Sequence, residues 1–327
     1  MRKLFITLLF GILMFSSASS KTVIDKNFHQ KYDVKPGASL FLKHGDGNVT
    51  ITPWDEDVVD IDIVYRATFT GMGRVQPKDF EAEFEKRGDR ITVIGREPRV
   101  IGIGSHRVDE YRYTIKAPAY VLLDLEGVDG DVSIEQWGND ISMNTVDGNI
   151  EMDEVEAQTV NVESVDGDIS LTGITADIEC KTVDGNIELE GVVDTNCRCK
   201  TVDGDVEIDQ ASGSFDVISV DGDIEMRNIT ANAISGKTSD GRFALDLLQS
   251  DNLDASVRTG DGDVRVRLAR GISLTLDVKT GDGRIRTDLS PVSDLTTDDD
   301  VFRGSINGGD GRLSIRTGDG SVTIMEE

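Results

Sequence analysis

The chain has 327 residues, 61 acidic and 34 basic, a formal charge of -27, 34 glycines, 6 prolines and 6% aromatic residues. So acidic a surface repels phosphate backbones and anionic lipid, which argues against a nucleic-acid partner and against membrane-surface binding. Val, Ile and Leu recur at fixed intervals, which excludes disorder as the account of the charge, and the composition fits many short β elements rather than a helical domain.

Residues 1–20 read as a secretory leader. Arg2 and Lys3 form its basic start, Leu4 to Phe15 its apolar stretch, and Ala18-Ser19-Ser20 a small-residue cleavage site. Cleavage after Ser20 is expected, giving an exported protein of the periplasm, the cell surface or the medium. The apolar run is short for a membrane span, and no second run of about 20 apolar residues follows, so no transmembrane segment is expected in the mature chain. No cysteine near the cleavage site offers a lipid anchor.

Asp46-Gly47-Asn48-Val49-Thr50-Ile51, followed by Trp54, matches Asp129-Gly130-Asp131-Val132-Ser133-Ile134, followed by Trp137, at the same spacing. Residues 38–64 are therefore predicted to form an early coil. Residues 21–37 are expected to cap it, and residues 65–117 to form irregular strand pairs with a hairpin through Lys86-Arg87-Gly88-Asp89. The division expected is a leader (1–20), an N-terminal capping and irregular β region (21–120) and a regular repeat domain (121–327).

Asp-Gly pairs begin at 129, 147, 166, 184, 203, 221, 240, 261 and 282, with further copies at 46, 310 and 319. The gaps are 18 or 19 residues up to 240 and 21 thereafter, a period that marks stacked supersecondary units. Six and four residues before each Asp stand apolar pairs such as Ile141 and Met143 or Val160 and Val162. Three and five after it stand pairs such as Ile150 and Met152 or Ile169 and Leu171. Both pairs have period two, so each coil holds two short strands with alternate residues facing inward. Thr-Val-Asp-Gly turns separate them, where glycine is expected to supply a positive φ and Asp an Asx-turn. The prediction is an all-β parallel β-solenoid with coils of 18–21 residues. An antiparallel sandwich is the alternative. Residues 122–236 carry 28 acidic and 4 basic residues, whereas residues 237–316 carry 14 and 12, including Arg258, Arg265, Arg267, Arg284 and Arg286.

No catalytic residues are assigned. Stacking places Asp147, Asp166, Asp184, Asp203 and Asp221 in one column, the candidate site for a calcium ion, since calcium takes six to eight oxygens. Solvated Asx-turns with Lys181, Lys200, Lys237 and Arg258 as counter-ions are the plainer account. Cys180 and Cys199 share an inward slot in consecutive coils and could be bridged, although three cysteines in a packed ladder favour buried thiols. His29, His44 and His106 are read as surface residues. The Ser/Thr column two before each Asp, weighed as an ice-binding rank, is flanked by carboxylates unsuited to that role. Arg87-Gly88-Asp89 is read as a turn, and the sequons at Asn48 and Asn228 as silent. A polysaccharide-cleaving enzyme is disfavoured, because such short coils leave almost no loop to wall a groove.

Gly45-Asp46-Gly47-Asn48-Val49-Thr50-Ile51 with Trp54, Tyr113-Thr114-Ile115-Lys116-Ala117-Pro118, and the serial Val-Asp-Gly-Asp-Ile motifs resemble a bacterial family of β-strand-repeat proteins of unknown function, labelled "putative adhesin". The resemblance covers nearly all of the mature chain. It implies a right-handed β-helix-like fold and an envelope location, and supplies no ligand or catalytic residues. The expected function is a non-enzymatic, adhesin-like envelope scaffold that binds a protein or a cell-surface glycan, or alternatively a calcium-stabilised adhesin. Its contact surface is expected in residues 65–117 or in the arginine-bearing late coils.

Overall fold

Alternating apolar residues between Asp-Gly corners favour short strands. The computed structural model describes residues 19–72, 80–98, 103–249 and 252–326, and among these it holds 28 strands and no helix. All 28 join one continuous sheet. Residues 1–18, most of the expected leader, lie outside the described residues, and the expected cut after Ser20 falls within the strand Ser19–Asp33.

Parallel pairing brings equivalent residues of neighbouring coils together. On one face Ile141, Val160, Ile178, Cys197 and Phe215 form a file. On the other, Ile150, Ile169, Ile187, Val206 and Ile224 form its counterpart. None of these side chains is more than 3% exposed, so the core is one aliphatic column. Where Gly236 leaves a gap in the column, the ring of Phe243 fills it.

The Asp-Gly glycines have a different cause from the one expected. None of Gly148, Gly167, Gly185, Gly204 and Gly222 takes a positive φ. A Cβ on Gly167 would instead strike the carbonyl oxygen of Gly148, one on Gly185 that of Gly167, and one on Gly204 that of Gly185. The corner is a line of backbones in contact. The left-handed conformation occurs later in each coil, at Gln136, Glu154, Gly173, Gly191, Gln210 and Asn228, mostly without glycine.

Two hydrogen-bonded files clamp this corner. The Ser/Thr column is buried, not an exposed rank: Ser164, Thr182, Thr201, Ser219 and Thr238 all face inward. Each hydroxyl accepts the N–H of the glycine three residues on, at 3.0–3.2 Å, and donates to the glycine carbonyl of the preceding coil. Two residues after each Asp, the N–H of Asn149 donates to Asp131 Oδ1, that of Asp168 to Asn149 Oδ1, that of Asn186 to Asp168 Oδ1 and that of Asp205 to Asn186 Oδ1, at 2.7–3.0 Å. From Asp131 to Asp205 Asn and Asp alternate, so charged carboxylates there stand two coils apart. Coulomb repulsion in water falls from about 0.9 to about 0.4 kcal/mol per neighbour. Asp223, by contrast, follows Asp205 directly, its N–H on Asp205 Oδ1 at 2.8 Å, and is paired with Arg242 in the next coil.

Chain order and spatial order differ at both ends. Ser39–Lys43 and Asn48–Pro53 lie between the Asp129 coil and a coil built from Arg90–Arg96 and Ile103–Ala117. Residues 65–117, expected to be irregular, thus contain the outermost N-terminal coil. Val58–Met72 runs antiparallel between Ser19–Asp33 and Ile103–Ala117, and Glu81–Arg87 folds back antiparallel on Arg90–Arg96 across Gly88. At the other end Gly311–Arg316 inserts between Asp254–Arg258 and Leu274–Lys279, and Val322–Glu326 between Val264–Leu268 and Ile285–Thr287. The Asp319 coil therefore separates those of Asp261 and Asp282. Val301–Ile306 then covers Leu274–Lys279 in antiparallel sense, with Ser293–Thr297 beyond it. Coils stacked only in chain order would present open parallel edges at both ends, and antiparallel strands cover those of Arg90–Arg96, Ile103–Ala117 and Leu274–Lys279.

Gly185→Ala is expected to destabilise the fold by more than about 2 kcal/mol in urea unfolding, because the methyl group meets backbone. Gly191→Asn, at a left-handed position where an added Cβ would meet the Gly173 backbone at an ordinary contact distance of 3.7 Å, is expected to change stability by less than about 1 kcal/mol.

Candidate functional site

Solenoid strands bury alternate residues, so the other half faces solvent in equally regular files. On the face built from Glu156–Glu163, Thr175–Lys181, Thr195–Lys200, Ser212–Ile218, Ile224–Lys237 and Asp254–Arg258, two outward files adjoin. One reads Asn161, Glu179, Arg198, Asp216, Ser235, Ser256 in register, and Asp177, Asn196, Ser214 and Ala233 stand beside it. Ser214, Ala233, Ser235 and Ser256 are short and line a concavity together with the longer Glu179, Arg198 and Asp216. Register shifts after Glu156 and Gly213 bend the strands here. The result is a trough of about 560 Å³ lying along the rod.

The trough offers both hydrogen-bond donors and acceptors. Asn196 Nδ2 donates to Asp177 Oδ1 at 2.8 Å, Ser214 Oγ donates to Asn232 Oδ1 at 2.7 Å, and Arg198 lies 3.5 Å from Asp216. Lys181 bridges Glu163 at 2.8 Å and Glu179 at 2.7 Å, and its ammonium holds the Glu179 carboxyl below the usual carboxylate range. Hydroxyl, amide, carboxylate and guanidinium groups in register suit a ligand rich in hydroxyls. Beneath the floor, Cys197 and Cys199 point into the core with sulfurs 3.4 Å apart, and Cys180 pairs in register with Cys199. All three are free thiols. Neighbouring sulfur and burial push the Cys197 and Cys199 thiols up, which leaves them unreactive.

Asp147, Asp166, Asp184, Asp203 and Asp221, the calcium candidates, form a single file of exposed carboxylates, one per coil. Among the described residues no group of three or more His, Cys, Asp or Glu side chains is placed to hold a metal ion. Of the proposed counter-ions, Lys181 is engaged with Glu163 and Glu179 rather than with that file. In each Thr-Val-Asp-Gly corner the valine is outward: Val146, Val165, Val183, Val202 and Val220 are 39–42% exposed.

Shifted titrations gather at the N-terminal end. His44, expected at the surface, is only 2% exposed. It occupies the Ser/Thr slot, and Gly127 in the adjoining coil makes room for the ring, since a Cβ there would meet His44 Nε2 and Thr145 Oγ1. The nitrogens lie near the Gly45 and Gly47 backbone without a well-formed hydrogen bond, and burial pulls the imidazole down to about 4. Glu97 Oε1 accepts the Asp46 N–H at 2.7 Å, and burial raises both carboxyls, helped by repulsion from Asp129 at both and from Asp46 at Glu97. Tyr111 and Tyr113 share a hydroxyl–hydroxyl hydrogen bond of 2.8 Å, Tyr65 stacks on Phe80 at 4.7 Å, and burial pushes the Tyr65 hydroxyl up to about 12. This is an aromatic plug sealing the core. His29 bonds Asp60 at 2.6 Å, and His106 stacks on Phe69 at the surface.

The trough was not read from the sequence, where a regular repeat face reads as structural and the contact surface was expected in residues 65–117 or the arginine-bearing late coils. Its signal was present in the replacement of acids by Ser214, Ser235 and Ser256 at outward strand positions.

A neutral imidazole in the fold stabilises it above the free-histidine value of about 6.5, and that stability is lost as pH falls towards 4, by at most about 3 kcal/mol. His44→Thr is expected to flatten the pH dependence of the urea midpoint between pH 6.5 and 4. Asp46 and Glu97, raised in the fold, slope the other way in both proteins and cancel from the comparison.

Among solved structures, a "putative adhesin" from Bacteroides fragilis NCTC 9343 is 15% identical, with 91% of this chain and 97% of that chain covered at a TM-score of 0.36. A "putative adhesin" from Parabacteroides distasonis ATCC 8503 is 13% identical, with 92% and 97% covered at 0.38. A "putative lipid binding protein" from the same organism is 11% identical, with 91% and 96% covered at 0.34. TM-scores this low establish no shared function. Comparison with curated proteins returns no match. The family model described as Toastrack DUF4097 matches residues 38–261 and, in a second overlapping placement, 177–325, so the chain belongs to the Toastrack DUF4097 family.

Proposed function

We propose that the protein is an exported, non-enzymatic solenoid of the cell envelope, wound right-handed, that holds a hydroxyl-rich ligand in the trough on its outer face. A cell-surface glycan fits best, which makes the protein adhesin-like. The trough of about 560 Å³ carries this reading, because it runs along the rod with an outward polar side chain on each successive strand, which suits a linear chain of hydroxyl-bearing units. Export rests on the basic-apolar-small pattern of residues 1–20. Among the described residues no helix is long and apolar enough to cross a membrane.

Rigidity suits this role. A floor of paired strands presents its groups in fixed geometry, so little ordering entropy is lost on binding. The repeating acids elsewhere keep the rod soluble and discourage indiscriminate contacts.

On a glycan array the full chain is expected to retain a restricted set of glycans. The double variant Asn196→Ala/Arg198→Ala is expected to lose roughly tenfold or more of that affinity with a melting midpoint close to the parent's, since both side chains are exposed. Equal binding by parent and variant would remove the trough from the account.

A calcium-stabilised adhesin draws on the exposed file from Asp147 to Asp221, where an ion would have to bridge adjacent coils. A melting midpoint raised by calcium at fixed ionic strength, and not by magnesium, would support it.

A further inference from the structure

Beside the trough, three residues before each Asp, runs another outward file. At one end it reads Lys43, Glu126, Asn144, Glu163, Lys181, where opposite charges meet: Lys43 lies 2.6 Å from Glu126, and Lys181 2.8 Å from Glu163. At the other end four adjacent strands place Lys237, Arg258, Arg316 and Lys279 side by side. Arg316 is held by Asp277, which Arg303 also contacts at 2.9 Å. Lys237, Arg258 and Lys279 are exposed and have no ion-pair partner among the described residues.

Like charges directly opposed on neighbouring strands destabilise a sheet. The same file pairs opposite charges at Lys43–Glu126 and Glu163–Lys181, sets Lys200 beside Lys181 and reaches Lys237 across Ile218, so four cations in unbroken succession occur in it only at this end among the described residues. The cationic run is not a product of chain order. Arg316 stands between Arg258 and Lys279 because its coil inserts there, so the fold assembles the run from segments distant in sequence. A serine accompanies each of three cations on its own strand: Ser235 with Lys237, Ser256 with Arg258 and Ser314 with Arg316, the serines also being in register.

We propose that this run is a rail for an anionic polysaccharide, whose acid groups lie on the cations and whose hydroxyls meet the serines and the adjoining trough. The proposal rests on the trough as a glycan-binding face and specifies the glycan as acidic. The rail is one file wide and follows the rod axis, which fits a linear polymer. A flat anionic membrane would also press against the acidic shaft, and the aromatic platforms that single-stranded nucleic acids stack on do not stand in these files.

The full chain and the triple variant Lys237→Gln/Arg258→Gln/Lys279→Gln are to be titrated calorimetrically with polygalacturonate and dextran sulfate. Neutral dextran, phosphatidylglycerol vesicles and single-stranded DNA serve as comparisons. The variant removes exposed, unpaired charges and is expected to keep the parent's circular dichroism and midpoint. Polyanionic polysaccharide is expected to bind the parent with an affinity that falls as salt rises, and the variant roughly tenfold or more weakly. Equal binding by parent and variant, or preference for vesicles or DNA, overturns the rail. Retention of neutral array glycans without either polyanion overturns the rail and leaves the trough standing, whereas no glycan of any kind overturns both.

Discussion

Where one Asp-Gly corner rests on the next, backbone touches backbone with no side chain between. A Cβ on Gly167 or Gly204 would occupy the place of a neighbouring carbonyl oxygen. That contact sets the spacing of the whole rod, because the strands on both faces can pair only at the separation the corner permits. The buried hydroxyls of Thr182, Thr201 and Thr238 then serve as the corner's hydrogen-bond partners, accepting from one coil and donating to the previous one. An aliphatic residue in that slot would leave a buried glycine N–H without its side-chain acceptor.

Charge is arranged around the same constraint. A strictly repeating coil stacks identical charges at the shortest distance, and the sequence escapes this in different ways. Asn149 and Asn186 interleave with Asp131, Asp168 and Asp205 in the file that bonds backbone. Elsewhere opposite charges alternate, as with Glu163 and Lys181, or the carboxylates are left in water, as with Asp147 and Asp166. In the run from Lys237 to Lys279 four cations stand side by side, three of them exposed and without an ion-pair partner among the described residues.

Period and alternation were enough to read the solenoid and its inward residues from the sequence, because a repeat states its own register. The reason for each glycine was not legible, since close approach and positive φ ask for the same residue. Gln136 and Glu154 adopt the left-handed conformation without glycine, which no local pattern announces. His44 was expected at the surface because it lies outside the regular array, yet it fills the slot that Ser or Thr takes elsewhere, and the bare Gly127 in the adjoining coil gives the ring room. The trough and the cationic run depend on which outward files adjoin. For the run this requires knowing that residues 311–316 lie between residues 254–258 and 274–279.

That insertion has a consequence for biogenesis. A ribosome or an export channel delivers the chain in one direction, and coils up to residue 268 can add to a growing rod as they emerge. Residues 274–306 have no finished neighbour to dock on until residues 311–326, synthesised after them, have slotted into place. The far end of the rod is thus completed out of order, and a product cut short before that stretch would carry an unsealed parallel edge, the kind of surface that quality-control proteases and self-association exploit.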